Sequence, residues 1–128
     1  MEIMNRVYGD MVVVAPTGRV DHATAADFER AVVPLLDAAA GSRGGLVFDL
    51  EGVSYISSVG LRVLMIASKA LRARGARIAV AATQPVVAEI LEICRFGAVV
   101  EVFGTVDEAL DAMSPAAAAS RALATKAL

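Results

Sequence analysis

At 128 residues the chain has the length of one domain, and a 57% hydrophobic composition, much of it alanine and valine, suffices to pack helices on a sheet. The net charge of −2 supplies no field to gather nucleic acid or an anionic membrane, and no apolar run approaches the length of a membrane span. The single cysteine, Cys94, excludes an internal disulfide, and with no signal peptide ahead of the first strand-like segment the sequence reads as cytoplasmic.

Strand and helix signals mostly alternate along the chain. Residues 3–8 and 11–16 predict two strands joined at Gly9-Asp10, a two-residue turn suited to a hairpin. Thr17-Gly18-Arg19-Val20-Asp21-His22 leads out of the second strand. Either Asp21 or Thr24 is placed to cap a helix through the thirties, with Phe28, Val32, Leu35 and Ala39 inward. Pro34 removes one backbone bond from that helix and predicts a bend. Leu46 to Leu50, behind Gly44-Gly45, is the short apolar run of a buried strand. A polar loop, Glu51 to Ser57, then precedes a helix over about 58–74 closed by Gly75, with Leu61, Leu64, Met65, Ser68 and Leu71 at helical spacing.

Ala76 to Ala82 predicts another strand, and Thr83 is expected to cap a helix that opens with Gln84-Pro85 and buries Val87, Ile90, Leu91 and Cys94. Val99 to Phe103 predicts the last strand. Thr105-x-x-Glu108 is a capping-box pattern that opens a short helix with Val106, Ala109, Leu110 and Met113 inward. These elements make one α/β domain over 1–113, opened by a hairpin, and the Ala-rich stretch 114–128 is expected to be a flexible tail or a loose helix.

Ser57 and Ser58 fall where loop turns into helix. Backbone N–H groups there are unpaired and the helix dipole is positive, so the position favours negative charge. A hydroxyl at that point caps the helix or accepts a phosphate. Gly60 fits a close approach of a neighbouring strand or of a partner's backbone. Asp21 is either an ordinary helix-terminal acid or part of a contact surface, and His22 reads as a solvated loop histidine. Arg62 and Lys69 share a helix face with Ile66 between them, a pattern that serves either a solvated face or a docking surface.

The order of elements, the Thr17-Gly18-Arg19-Val20-Asp21 turn and the run Asp49-Leu50-Glu51-Gly52-Val53-Ser54-Tyr55-Ile56-Ser57-Ser58-Val59-Gly60-Leu61 together resemble a STAS domain. More narrowly, the chain is similar to the stand-alone anti-sigma-factor antagonists of bacterial partner-switching systems, over roughly residues 4–113. The resemblance implies an α/β STAS (SpoIIAA-like) fold, with a mixed central sheet of about five strands, about four helices and an N-terminal β-hairpin. It also implies a phosphorylatable, non-enzymatic module of transcription regulation. In that family a serine two residues before the motif glycine is phosphorylated by a serine kinase of histidine-kinase-like ATPase fold. That kinase is the anti-sigma factor, which the unphosphorylated antagonist sequesters and the phosphorylated one releases; a metal-dependent serine phosphatase reverses the modification. By position the acceptor is Ser58, with Ser57 the alternative. The implied partner surface comprises Asp21, Thr24, Ser57, Ser58, Val59, Gly60, Arg62, Ile66 and Lys69. Two positions depart from the common family pattern: Ser57 stands where many members have aspartate, and Val59 where many have a small polar residue.

Two other classes compete. A serine hydrolase would need a nucleophile elbow, and Ile56-Ser57-Ser58-Val59-Gly60 has the trailing glycine without the leading one and no histidine–acid pair following in order. A STAS module that senses a nucleotide or lipid, or once belonged to an anion transporter, is the stronger alternative, and the absence of a membrane segment argues against the transporter origin. The sequence has no Gly-rich phosphate loop and no metal-ligand spacing, so neither cofactor nor metal is expected.

Overall fold

The computed structural model describes residues 1–41 and 44–126. Strands β1 (Glu2–Tyr8) and β2 (Met11–Val20) pair antiparallel about the Gly9-Asp10 turn, with Tyr8 opposite Met11. The first half of β2 then pairs parallel with β3 (Gly45–Asp49), and its last residues pair parallel with β4 (Val53–Ile56). The change of partner happens at Gly18. Its φ of +97° is open to glycine at little cost, the ladder shifts register between Gly18 and Arg19, and the Gly18 N–H donates to Gly52 O at 2.8 Å. The Thr-Gly turn of the sequence is thus the pivot that carries β2 from β3 to β4.

Parallel pairing continues from β3 to β5 (Arg77–Ala81) and on to β6 (Glu101–Phe103), so the sheet runs β1-β2-β3-β5-β6 with β4 attached to the far end of β2. Alternate residues of β2 point to opposite faces. Val12 and Val14 meet α1 (Ala25–Gly41), α2 (Ser58–Ala73) and α3 (Pro85–Ile93) in a core that includes Phe28, Val32, Phe48, Leu64, Leu71 and Val80. Met11 and Val13 face α4 (Val106–Met113) and α5 (Pro115–Lys126), packing with Val47, Ala79, Leu110, Met113 and Ala117. Phe28 and Phe48 meet edge-on with ring centroids 5.8 Å apart, which fixes α1 against the middle of the sheet. The mixed sheet, the hairpin and helices on both faces give the STAS fold expected from the sequence, with six strands and five helices among the described residues.

Several expectations are corrected. The segment read as a polar loop contains β4, whose Val53 and Ile56 are buried while Ser54 is exposed. Cys94, expected in the core, is exposed, because α3 ends at Ile93 and only Val87 and Leu91 are fully buried in it. Leu36 rather than Leu35 lies buried on α1. Gln84, not Thr83, occupies the N-cap of α3, and its side-chain amide donates to Glu51 O at 2.7 Å. A 3-10 turn at Phe96–Ala98 shortens the last strand to three residues. In the capping box Thr105 accepts from the Glu108 N–H as expected, but the Glu108 carboxylate reaches the Gly104 N–H instead of that of Thr105.

Of the two alternatives for the Ala-rich stretch, the helix is the one present: residues 115–126 form α5, and residues 127 and 128 lie outside the described residues. Ser114 caps α5 by accepting from the Ala117 N–H at 3.1 Å, and its hydroxyl donates to the Asp10 carboxylate in the hairpin turn. Arg121 ties α5 to α4 through Asp107 and Asp111. Gly9 permits this docking, because a Cβ there would lie 2.7 Å from the Ala116 carbonyl carbon.

Candidate partner-docking site

The N-terminus of α2 is set by three consecutive contacts. The Ser57 N–H donates to Val20 O at 2.8 Å, which ties the start of the helix to the end of β2. Ser57 is the N-cap: its backbone is extended and its Oγ accepts from the Gly60 N–H at 3.4 Å. Gly60 is buried, and a Cβ on it would come within 2.7 Å of Val20 Cγ1 and 2.8 Å of Ile56 Cγ1. Of the two explanations for this glycine, close packing on the strands is the one the geometry carries.

Ser58 is therefore free of structural duty. It is the first residue of α2, it is exposed, and its hydroxyl makes no hydrogen bond among the described residues. The first turn of α2 contains no acidic residue, so nothing there neutralises the positive end of the dipole. Ser58, Arg62, Ile66 and Lys69 succeed one another at spacings of four, four and three along the outward line of the helix. Arg62 and Lys69 are exposed, Ile66 is half-buried, and Val59 beside them is 42% exposed.

Helix α1 and the loop before it supply the other wall. His22, Ala25, Ala26 and Glu29 face Val59, Arg62, Val63 and Ile66 across a cleft of about 250 Å³. The sequence placed Val59, Arg62 and Ile66 at a surface but gave no sign that α1 completes it, because the pairing of two helices is not written in either one.

The β2–α1 connection holds Asp21 at the edge of this site. The Thr24 hydroxyl donates to Arg19 O at 2.7 Å and accepts from the Asp21 N–H at 3.0 Å, so Thr24 locks the loop rather than capping α1. Desolvation pushes the Asp21 carboxyl up, but hydrogen bonds from Ala23 and Thr24 and the Arg19 guanidinium 3.6 Å away outweigh it, holding it below the usual carboxylate range. Arg19 in turn lies over the Tyr55 ring, 4.5 Å from its centroid. That stack went unread in the sequence because it depends on β4. Of the residues expected at the contact surface, Asp21, Val59, Arg62, Ile66, Lys69 and Ser58 retain exposed or half-exposed side chains. Ser57 and Thr24 are half-buried and engaged in local hydrogen bonds, and Gly60 is turned into the fold. Among the described residues no cluster of three or more His, Cys, Asp or Glu side chains is grouped to hold a metal ion, and no helix is long and apolar enough to cross a membrane.

Residues 2–109 match the STAS domain family, and the chain belongs to it. Its structural neighbours include anti-sigma factor antagonists, and also the murine Slc26a9 anion transporter, at a TM-score of 0.68 and 18% identity over 82% of this chain and 18% of that one. A protein of Thermotoga maritima described as a candidate antagonist superposes with a TM-score of 0.79 at 20% identity, covering 87% of this chain and 93% of that one. An anti-sigma factor antagonist from Mycobacterium paratuberculosis gives 0.71 at 24% identity, over 88% and 92% of the two chains. The Bacillus cell fate determinant SpoIIAA in its phosphorylated form gives 0.67 at 17% identity, over 88% and 100%. No curated protein sequence matches the chain.

Proposed function

We propose that the protein is an anti-sigma-factor antagonist whose α1–α2 face docks on a serine-kinase anti-sigma factor, and that phosphorylation of Ser58 by that kinase breaks the dock. The observation that carries the proposal is the division of labour between the two serines. Ser57 Oγ is spent on the Gly60 N–H, whereas Ser58 presents an unbonded hydroxyl to solvent at the head of a 16-residue helix. A phosphate there gains from the helix dipole and from Arg62 one turn along, so the free protein tolerates it without refolding. In a packed contact the same group brings up to two negative charges into a desolvated surface and costs binding energy. A metal-dependent serine phosphatase then restores the docking form.

The surface chemistry supports a binding role. Ile66 lies between Arg62 and Lys69 along α2, an apolar anchor between two cations, and Asp21, held toward its ionised form, directly precedes the cleft-lining His22. A hydrolytic role finds less support, since among the described residues no histidine is hydrogen-bonded to Ser58.

The test is chemical. Incubation of the protein with its cognate kinase and ATP is expected to add a single phosphate, located by fragment-ion spectra at Ser58 within the tryptic peptide running from Gly44 to Arg62. Ser58→Ala should accept none. Phosphate found on Ser57 or outside that peptide would overturn the assignment.

A further inference from the structure

Helix α3 is apolar on two sides. Val87 and Leu91 are buried against the sheet, while the outward flank carries Val86 at 53% and Ile93 at 73% exposure with Ile90 half-buried between them. A helix at the surface ordinarily turns a polar face to water, and one apolar all round is ordinarily covered. Beside this flank stand Glu89 and Glu92, neither of which has an ion-pair partner among the described residues.

The outward line of α2 is the inverse surface. Arg62 and Lys69 likewise lack ion-pair partners among the described residues; they flank Ile66 along α2, and Arg62 and Ile66 line the α1–α2 cleft, whose apolar lining also includes Ala25, Ala26, Val59 and Val63. We infer that α3 of one molecule docks on the α2 cleft of a second copy of the chain, Ile93 entering the cleft and Glu89 and Glu92 meeting Arg62 and Lys69. Glu29 on the α1 wall sets the orientation, because the acids of α3 are repelled there and drawn to the α2 side.

The two patches are different surfaces of one molecule. A single such contact is heterologous: it adds molecules head to tail, unless two reciprocal copies of it close a pair. A single short helix in a small cleft makes a modest interface, so the association is weak and concentration-dependent. Its consequence is that an associated molecule has its Ser58 face covered. The inference does not depend on Ser58 being a phosphoacceptor.

Sedimentation velocity of the full chain, from micromolar to millimolar concentration, tests it. The average sedimentation coefficient should rise with concentration and the rise should shrink in high salt. Ile93→Asp disables the α3 patch and Ile66→Asp the α2 cleft, so each variant alone should remain monomeric. An equimolar mixture should form a heterodimer and nothing larger, because each partner keeps one intact patch. Arg62→Ala combined with Lys69→Ala replaces Ile66→Asp if the latter loses the parent's circular dichroism spectrum. A wild-type protein that stays monomeric throughout, a single variant that still associates, or a mixture that stays monomeric would each overturn the inference.

Discussion

Replacing Ser57 by alanine removes the oxygen that accepts from the Gly60 N–H. Caps of this kind contribute about 1 kcal/mol, and the long 3.4 Å separation puts this one toward the lower end of their range. Ser58→Ala removes a hydroxyl with no partner among the described residues and should change stability by less than about 0.5 kcal/mol. Urea unfolding of the two variants separates a capping serine from a free one. Gly60→Ala sets helix propensity, which favours alanine by about 1 kcal/mol, against a Cβ at 2.7 Å from Val20 and 2.8 Å from Ile56. The clash is with branched, buried side chains that have nowhere to go, so we expect net destabilisation of about 1–2 kcal/mol. Asp21 titrates below its ordinary value in the folded protein, so its stabilising contribution is complete above about pH 4 and disappears as acid takes the pH through the lower folded value. Asp21→Asn should flatten the acid limb of a stability–pH profile, and a profile unchanged by the substitution would remove the carboxyl from that account. At this scale the sequence was most informative: it placed both serines at the head of α2 and left their roles open, and only the cap geometry divided those roles between them.

Among the elements, α2 was legible because sixteen residues repeat a buried line at helical spacing and a Gly75 with φ of +74° ends it. Its terminus closes with paired bonds from Gly75 to Arg72 O and from Ala76 to Leu71 O. Even the break in that line has a reason, since buried Ser68 donates to Val99 O at 3.0 Å. β4 was not legible. Four residues with serine second give too short an alternation to distinguish from loop, and pairing with the distant end of β2 supplies the stability that local pattern lacks. α5 was left open between a tail and a loose helix for a different reason: an alanine-rich segment has no apolar stripe to read, and what orders it is the hairpin turn more than a hundred residues earlier, through the Ser114–Asp10 hydrogen bond. Gly9→Ala tests that docking. It should lower the melting temperature by several degrees, combining a side chain at φ +58° with the contact at Ala116. In a variant truncated after Met113 the same substitution should cost less, because only the backbone strain remains. Equal losses in the two backgrounds would show that α5 does not rest on the turn.

For the whole molecule, the sheet with helices on both faces acts as a rigid support. The proposed switch is a local change of charge on one exposed turn, so docking and stability should respond independently. Leu64→Asp is the contrasting control, placing a charge at a fully buried position of α2 and abolishing folding, whereas Ile66→Asp two residues on should keep the fold and weaken docking. The fold class was open to sequence reading because the hairpin turn, the chain order of strands and helices and the motif at the head of α2 agreed, even though the caps of α1 and α3 and the short β4 were misread. The proposed docking face was only half open, since α2 announced its own residues and α1 did not announce that it lies alongside. The central claim is that a negative charge at Ser58 ends docking without disturbing the fold. Titration calorimetry of the partner kinase with Ser58→Asp and Ser58→Ala, each checked by thermal melting, tests it most directly. The account predicts that the alanine variant binds as the parent does, that the aspartate variant loses at least about tenfold in affinity, or 1.4 kcal/mol, and that both melt within a few degrees of the parent. Equal affinity of two folded variants would contradict it.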